Sequence, residues 1–380
     1  MSRGLARFLV RLAAILLPPS LRDWGRAMAA ELGTIEGARP ALSFASGCLG
    51  CAIRKTIAHH SLKRPRRLAA VCAVCAIGLG LAYLSAAGAP MRYLAMNSAA
   101  AALGLLALGV MTETARLTRL SNIFQEAIAL ALGFALLAVS LFGESADGVT
   151  RWISVGGVLL QPSLFIVPVL AVRFAWSRDG LSTLAVLVAV LALALQPDRA
   201  MAGALALGLA ASALVRPGRN AFLATGGALA GLAATFARPD TSPVAPFVDQ
   251  VFYSSFDVHP LAGLAVLAGA MLMIAPAIVG WVHDAGNRHA YAVFGAVWLA
   301  VMAAAALGNY PTPLIGYGGS AIIGYLISLV GLPPRAGAGA AGRGEEGTRP
   351  DQVEPPHHLR AGISTSTRLR PVSPSYISPA

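Results

Sequence analysis

The stretch Gly148–Ser163 reads G-V-T-R-W-I-S-V-G-G-V-L-L-Q-P-S, and it lies between two long apolar runs. It is polar, rich in glycine, and carries the adjacent pair Arg151 and Trp152. Two shorter polar inserts follow it, Gln196–Arg199 and Tyr317–Ser320. Such inserts are unusual in a chain as apolar as this one. If all three open on the same side of a membrane, they describe one site.

The composition indicates a protein with several membrane spans. Hydrophobic residues occupy 56% of the 380 positions, charged residues occupy 12%, and the mean hydropathy is +0.67. A soluble domain carries about 25% charged residues, so this chain cannot cover itself with a surface suited to water. Strands of a membrane barrel would alternate apolar and polar residues over about ten positions, whereas the apolar runs here are continuous. The sequence therefore predicts transmembrane helices.

The net charge of +12 does not call for a nucleic-acid partner. Lysine and arginine residues stand at the ends of the apolar runs and in the two tails. This placement is what sets the orientation of a membrane protein. We therefore expect membrane lipids, and no nucleic acid, around this chain.

Residues 1–67 form a separate N-terminal segment that we predict to be helical and cytoplasmic. Its first apolar residues recur at i, i+3, i+4 and i+7, with arginines on the opposite face, which is typical of a helix lying among lipid headgroups. A signal peptide is the alternative, although Pro18 and Pro19 replace a small-residue cleavage site. Two further helices are predicted over Asp23–Leu32 and Ala41–Ile57. The apolar positions are Leu5, Phe8, Leu9, Leu12, Ile15 and Leu16, and the arginines are Arg3, Arg7 and Arg11.

Four cysteines have a spacing that also fits a metal site. Cys48 and Cys51, followed by Cys72 and Cys75, match a zinc-ribbon template. The second pair falls inside a predicted span, however, where cysteine behaves as a small hydrophobic residue. We interpret all four as packing residues, with a metal site or a disulfide as alternatives.

Segments of about 20 mostly apolar residues predict ten transmembrane helices within residues 68–332, an all-α polytopic membrane fold. With a cytoplasmic N-terminus, most arginines between spans fall on the inner side, as the orientation rule requires. The three polar inserts and the loop Arg238–Pro260 then all lie outside. Residues 333–380 are rich in Gly, Pro and Ser, and we predict a disordered cytoplasmic tail. The predicted spans are approximately 68–88, 93–112, 124–143, 159–176, 181–196, 199–215, 220–237, 259–281, 290–308 and 313–332.

The polar inserts resemble the motifs of one family. Arg151–Ile153 followed by Gln161–Ser163 resembles the R-W-I…Q-P-S-E-F signature of the FtsW/RodA/SpoVE (SEDS) family of cell-wall polymerases. Gln196–Asp198 is similar to that family's Q-P-D, and Ile315–Ser320 resembles its I-S-Y-G-G-S. The order of the motifs and their predicted outward side also match. The resemblance covers roughly residues 68–332 and implies a fold of the FtsW/RodA type.

The resemblance also implies a function. It implies a peptidoglycan glycosyltransferase that polymerises lipid II at the outer face of the bacterial cytoplasmic membrane, in cell division or in cell shape, together with a class B penicillin-binding protein. It implies an essential aspartate in the outer loop before the eighth span, which we assign to Asp257, with Asp249 as the alternative. The substrate-binding residues it implies are Arg151, Trp152, Gln161, Ser163, Asp198, Tyr317 and Ser320.

The chemistry of the reaction suggests roles for Asp257 and Arg151. Joining two lipid-linked sugars needs a base for the attacking hydroxyl and positive charge near the departing pyrophosphate. Asp257 fits the base and Arg151 fits the pyrophosphate, because guanidinium pairs bidentately with phosphate oxygens. An ion pair of Arg151 with Asp147 or Glu144 is the structural alternative. A divalent cation, Mg²⁺ or Mn²⁺, suits pyrophosphate chemistry, although no ligand cluster in the sequence demands one.

Two motifs have a structural alternative as well. Asp198 stands near the membrane boundary, where an acid usually satisfies backbone groups or a neighbouring cation. The glycines of Tyr317–Ser320 allow close packing of backbone within protein. His259, next to Pro260, suggests a proton shuttle, but we favour a capped surface histidine.

The sequence departs from the family pattern at several positions, two of them in the first motif. Leu164 and Val167 stand where the family has an acid and a lysine. This departure favours the alternative of a catalytically inactive scaffold of the cell-wall machinery. A lipid transporter is a second alternative, but it predicts paired broken helices with charges at mid-bilayer, and the sequence has no such pair.

Overall fold

The structure is a computed structural model that describes residues 2–17, 21–118, 121–146, 149–237 and 244–335. Most of the predicted tail, from residue 336 onward, lies outside the described residues. So do Asp147 and residues 238–243, which belong to the loop predicted to lie outside the membrane. The described part is almost entirely helical, as the sequence predicted.

The first three helices form an N-terminal unit. They are α1 (Ser2–Leu16), α2 (Arg22–Thr34) and α3 (Ala38–Lys63), so the predicted helices of this segment are confirmed. Helix α1 packs on α3 through small and medium apolar residues, since small side chains let the helices approach closely. The buried residues of this contact are Ala6, Val10, Ala13, Leu17, Ala41, Ala45, Cys48 and Ala52.

Ten helices occupy the ten predicted spans. They are α4 (Pro65–Ala86), α5 (Met91–Thr118), α6 (Asn122–Phe142), α7 (Ser163–Ser177), α8 (Gly180–Leu195), α9 (Arg199–Val215), α10 (Arg219–Thr235), α12 (Pro260–His283), α13 (Arg288–Leu307) and α14 (Gly319–Ser328). Five of them, α4, α5, α6, α12 and α13 together with the turn before it, are long and apolar enough to cross a membrane. Four others, α7, α8, α9 and α14, are shorter apolar helices. The predicted all-α polytopic membrane fold is confirmed.

The remaining elements are short. Helix α11 (Val251–Val258) precedes α12, and two 3₁₀ turns, Ala285–Asn287 and Leu329–Gly331, precede α13 and follow α14. The last predicted span begins at residue 319 rather than 313. Prolines at 311 and 313 and the glycine at 318 hold the chain before it in a loop.

The polar connector contains strands that the sequence analysis did not predict. Strands β1 (Glu144–Ala146), β2 (Val149–Val155) and β3 (Val158–Leu160) form an antiparallel sheet in the order β1-β2-β3. Gly156 and Gly157 make the two-residue turn with φ of +60° and +81°, which glycine adopts without steric cost. The predicted span from residue 159 was therefore wrong at its start, because residues 159 and 160 belong to β3.

The centre of the bundle contains large aromatic side chains on α13 and α14. Trp298 and Tyr325 are fully buried, and their rings lie 5.1 Å apart. Each also has a hydrogen-bond partner, since Trp298 Nε1 donates to Ser328 Oγ at 3.3 Å and Tyr325 Oη donates to the Met273 carbonyl at 2.7 Å. Large aromatic rings with satisfied polar atoms are well suited to a low-dielectric core.

Helix α14 approaches α7 at a glycine. A Cβ atom on Gly324 would lie 2.1 Å from the Leu164 carbonyl oxygen, so no larger residue fits without moving a backbone. Gly80 on α4 meets the loop before α14 in the same way, 2.6 Å from Ile315. The first contact brings α14 close to the start of α7, and the second brings the loop before α14 close to α4.

The loops between helices gather at two ends of the bundle. The site end contains residues 149–162, 196–198, 244–250 and 309–318, which hydrogen bonds join to one another. The basic end contains the turns at Arg178 and Arg216, where Arg178 Nη1 donates to the Arg216 carbonyl at 2.6 Å. The polar inserts thus share one end, and their position outside the membrane stays a prediction from the arginine distribution.

Candidate functional site

Strand β2 places the arginine and tryptophan of the connector at the site end. Arg151 is only 5% exposed, and its guanidinium carbon lies 4.7 Å from the centre of the Trp152 ring. A buried guanidinium beside an indole face gains a cation–π interaction in a poorly hydrated setting. Glu144, one of the acids considered for Arg151, is exposed and lies opposite Trp152 in the sheet.

Asp198 organises the start of α7 and α9. It is fully buried, and its Oδ2 accepts from Gln161 Nε2 and Ser163 Oγ, both at 2.9 Å. Its Oδ1 accepts from the Met201 backbone N–H at 3.1 Å, which caps α9. The carboxylate therefore joins two of the predicted motifs, and this arrangement matches the structural role considered for Asp198.

Ser320 joins the third motif to the first. Its Oγ accepts the backbone N–H of Gln161 at 3.0 Å. Gln161 therefore links Ser320 on α14 to Asp198 at the start of α9. The structure brings Gln161, Ser163, Asp198 and Ser320 into one hydrogen-bonded group.

Asn97 on α5 is a site-end residue that the sequence analysis did not identify. Its side chain is buried, and its Nδ2 donates to the Gly316 carbonyl at 3.0 Å. The Gly318 N–H donates back to Asn97 Oδ1 at 3.2 Å. One amide thus holds both sides of the loop before α14. A lone asparagine within an apolar span was the signal available in the sequence.

The loop before α11 is tied to the loop before α14. The Thr312 N–H donates to the Val248 carbonyl at 2.9 Å, and the Tyr317 N–H donates to the Phe247 carbonyl at 2.7 Å. Phe247 and Gln250 have positive φ values, 66° and 56°, which are uncommon for residues other than glycine. Strained backbone of this kind persists only where surrounding contacts hold it in place.

Tyr317 lies at the edge of this arrangement. Its ring stacks on Tyr93 at 3.8 Å between centroids, and its hydroxyl donates to Met96 Sδ at 3.2 Å. Burial raises the pKa of the Tyr317 phenol above its ordinary value, so the hydroxyl remains a neutral donor. The backbone and the ring of Tyr317 thus contribute to the packing of these loops.

Two adjoining cavities open among these loops. The apolar cavity has a volume of about 460 Å³ and includes Tyr317, Ser320 and residues of α5. The Arg–Asp cavity has a volume of about 430 Å³ and includes Arg151 and Asp249. Both volumes fall in the range of small-molecule sites. The walls that the two cavities share are Trp152, Leu159, Gln161, Leu164, Val248 and Pro311.

Asp249 is the carboxylate of the Arg–Asp cavity. It is 7% exposed, and its Oδ2 accepts the Ala245 N–H at 2.8 Å. Burial raises the pKa of the Asp249 carboxyl above its ordinary value, although that hydrogen bond and the positive charge of Arg151 both act to lower it. A cavity carboxylate with a raised pKa is suited to accept a proton.

Asp257, the acid assigned first from the sequence, has a different position. It lies on α11 and is exposed, and it lines neither of the two cavities. His259 ends the same helix, and its Nδ1 accepts the Leu261 N–H at 3.1 Å to cap α12. The capped histidine favoured from the sequence is thus confirmed. Of the two loop acids, the structure brings Asp249 to the other predicted residues.

The candidate metal ligands do not gather in the described part of the chain. No group of three or more His, Cys, Asp or Glu side chains in the described residues could hold a metal ion. The four cysteines are free thiols on α3 and α4.

The fold and the site together define a class of protein. It is a polytopic helical membrane protein in which the loops of one end enclose two adjoining cavities, one of them lined by a buried arginine and aspartate. No protein-family model and no curated protein sequence matches the chain.

Solved structures resemble it more clearly. A crystal structure of an aspartate-to-alanine mutant of RodA, the rod shape determining protein of Thermus thermophilus, has a TM-score of 0.50 and 21% identity, covering 69% of this chain and 94% of RodA. The chain therefore has the fold of RodA, as the resemblance to the FtsW/RodA/SpoVE family implied. A further crystal structure of that RodA gives a TM-score of 0.49 at 21% identity, covering 69% and 93% of the two chains. A peptidoglycan synthase complex that coordinates polymerization and crosslinking gives 0.47 at 24% identity, covering 69% and 94%.

Proposed function

We propose that the chain is a member of the FtsW/RodA/SpoVE family and a peptidoglycan glycosyltransferase that polymerises lipid II at the outer face of the bacterial cytoplasmic membrane. The observation that carries the proposal is that Arg151 and Asp249, from loops about 100 residues apart in sequence, line the same cavity. The RodA-like fold supports it, since the similar structure is that of a rod shape determining protein.

In the proposed reaction Asp249 is the general base. Its carboxylate takes the proton from the attacking sugar hydroxyl while that oxygen forms the new glycosidic bond. The bond between the donor sugar and its lipid pyrophosphate breaks at the same centre, and the guanidinium of Arg151 stabilises the negative charge that leaves. The raised pKa of Asp249 and its place beside Arg151 support this division of roles.

The apolar cavity supports a lipid-linked substrate. It adjoins the Arg–Asp cavity through the shared wall at Trp152 and Gln161, and its other residues are mostly apolar. A substrate with a polar head and an apolar tail would place each part in an environment of its own polarity. A divalent cation with the pyrophosphate and a class B penicillin-binding protein as partner complete the proposal.

The test is polymerisation of labelled lipid II by the purified full chain, with and without that partner. We expect glycan strands from the wild type, and at most about a hundredth of that rate from Asp249→Asn, because a general base contributes roughly 10²–10⁴-fold. Asp257→Asn is the matched control and should retain the wild-type rate. Loss with Asp257→Asn but not with Asp249→Asn would return the role of base to Asp257. Chelation of divalent ions in the same assay tests the cation.

A scaffold without catalytic activity is the second candidate, and one observation favours it. Leu164, which replaces the acid of the family pattern, lines both cavities, and Val167 is fully buried behind it. Under this alternative no partner elicits polymerisation, and Asp249→Asn supports growth and division as well as the wild type does. Under the proposal the same variant fails in both assays.

A further inference from the structure

The N-terminal unit has a surface that no contact in the structure explains. Helix α1 buries Ala6, Val10 and Ala13 against α3. On a helix of 3.6 residues per turn, a second apolar stripe formed by Leu5, Phe8 and Ile15 lies about 150° around the axis from them. In that stripe Phe8 is 60% exposed and Ile15 is 80% exposed. The sequence pattern placed Phe8 and Ile15 on the predicted apolar face of α1, and the structure leaves both exposed.

The second stripe belongs to a broader apolar surface. Leu5 on α1 is 49% exposed and Trp24 on α2 is 50% exposed. Gly25 lets the two helices cross closely, because a Cβ there would lie 2.9 Å from Ala14 Cβ. The unit is thus a packed body with its own buried core and an apolar outer face. Such a face needs an apolar partner.

Positive charge lies next to this face. Arg7 and Arg11 line a cleft of about 240 Å³ between α1 and the following helices, with Ala29 and Gly33 on its other side. Residues 1–67 as a whole contain twelve lysines and arginines against three acids. Charge of this sign beside an exposed apolar stripe complements a surface with anionic headgroups above acyl chains.

We propose that the α1–α3 unit docks on a bilayer surface of anionic phospholipid. The stripe of Leu5, Phe8 and Ile15 inserts at the level of the first acyl carbons, and the cleft at Arg7 and Arg11 receives a headgroup phosphate. Guanidinium groups are suited to this contact because they donate two parallel hydrogen bonds to phosphate oxygens. The proposal is independent of the glycosyltransferase activity.

Hydrogen exchange in lipid discs tests the proposal on the full chain. We expect the amides of α1 to exchange more slowly in discs that contain phosphatidylglycerol than in discs of phosphatidylcholine alone, by roughly fivefold per arginine engaged. Arg7→Gln/Arg11→Gln should remove the difference between the two discs. The control variant Arg39→Gln/Arg54→Gln removes the same amount of charge from α3, outside the cleft. This variant should still show the difference in exchange between the two discs.

A second variant tests the apolar stripe. Phe8→Ser/Ile15→Ser should leave α1 exchanging rapidly in both discs, while unchanged protection of residues 41–52 shows that the unit stays folded. Equal exchange of wild-type α1 in the two discs overturns the proposal, as does an equal effect of the two arginine pairs. Protection by inorganic phosphate in detergent, or protection that grows with protein concentration, would overturn it in favour of a free anion or a second copy.

Discussion

Two helices of the bundle begin at an aspartate, and these aspartates lie at opposite ends of α8. Asp179 caps α8 at the basic end, where its Oδ1 accepts the Ser182 N–H at 2.8 Å and its side chain is exposed. Asp198 caps α9 at the site end in the same local way, but it is fully buried and also accepts from Gln161 and Ser163. The same helix-capping device is thus purely local at one end, whereas at the other it joins two helices, α7 and α9.

The two ends of the bundle also differ in the hydrogen bonds that hold their loops. At the basic end, side chains donate to backbone carbonyls, as Arg66 does to Leu332 at 2.7 Å and Trp176 does to Gly331 at 2.8 Å. At the site end, loops bond to loops and leave two cavities between them. The loops at the site end leave space for a ligand, whereas the two side chains cited at the basic end bind the backbone that follows α14.

The largest expected effect separates the ends by activity. If the proposed function holds, Asp249→Asn should lower lipid II polymerisation by about 10² or more, since it removes the proposed general base. Asp179→Asn, an acid at the basic end, should leave the rate within a factor of about two. The measurement is the initial rate of glycan formation by the purified chain with its partner. Equal rates for the two variants would end the functional distinction between the ends.

Arg151 should have the next largest effect. Arg151→Gln is expected to lower the polymerisation rate by about 10–10²-fold, because the leaving pyrophosphate loses its positive partner. Arg151→Lys should recover part of that rate, since lysine keeps the charge but not the bidentate geometry. Arg178→Gln at the basic end is the matched control. If Arg178→Gln lowers the rate as much, the effect of Arg151 is general electrostatics rather than contact.

The capping aspartates should separate the ends by stability. Asp198→Ala is expected to lower the free energy of unfolding by about 2–4 kcal/mol, because it removes a cap and leaves Gln161 and Ser163 without their buried acceptor. Asp179→Ala should cost only about 1 kcal/mol, the loss of an exposed cap. Denaturant unfolding in detergent, followed by circular dichroism, measures both. A cost for Asp179→Ala as large as that for Asp198→Ala would contradict the comparison.

The smallest effect concerns pH. Burial raises the pKa of Asp249, so polymerisation should fall on acidification through a pH above the ordinary carboxyl range. Arg151→Gln should move this acidic limb to higher pH, because the arginine charge acts to lower that pKa. Arg199→Gln, at the start of α9, should leave the limb in place. The pH–rate profiles of the three proteins measure the shift.

The same group has a consequence for stability. Because the folded-state pKa of Asp249 is raised, its contribution to stability is present below the unfolded pKa and is lost as the pH rises through the folded value. Asparagine does not ionise, so Asp249→Asn removes this loss of stability at higher pH. Its melting temperature in detergent should therefore rise relative to the wild type as the pH increases across this range, and a constant difference would contradict the raised pKa.

The sequence was sufficient for features that depend on composition and period. Apolar runs of the required length predicted the helices from Pro65 to Ser328, and the amphipathic pattern predicted α1. The motifs at Gln161, Asp198 and Ser320 could be recognised because each is a short run of unusual residues within an apolar chain. Their gathering at one end followed from counting the spans between them.

The tertiary structure decided what depends on contact between distant segments. Which of Asp249 and Asp257 is buried beside a cavity could not come from their sequence neighbourhood, because burial of a carboxylate depends on which loop covers it. The strand pairing around Gly156 depends on hydrogen bonds across a hairpin, and the division of the α1 face depends on the position of α3. Local period fixes which residues share a helix face, whereas only packing fixes what that face contacts.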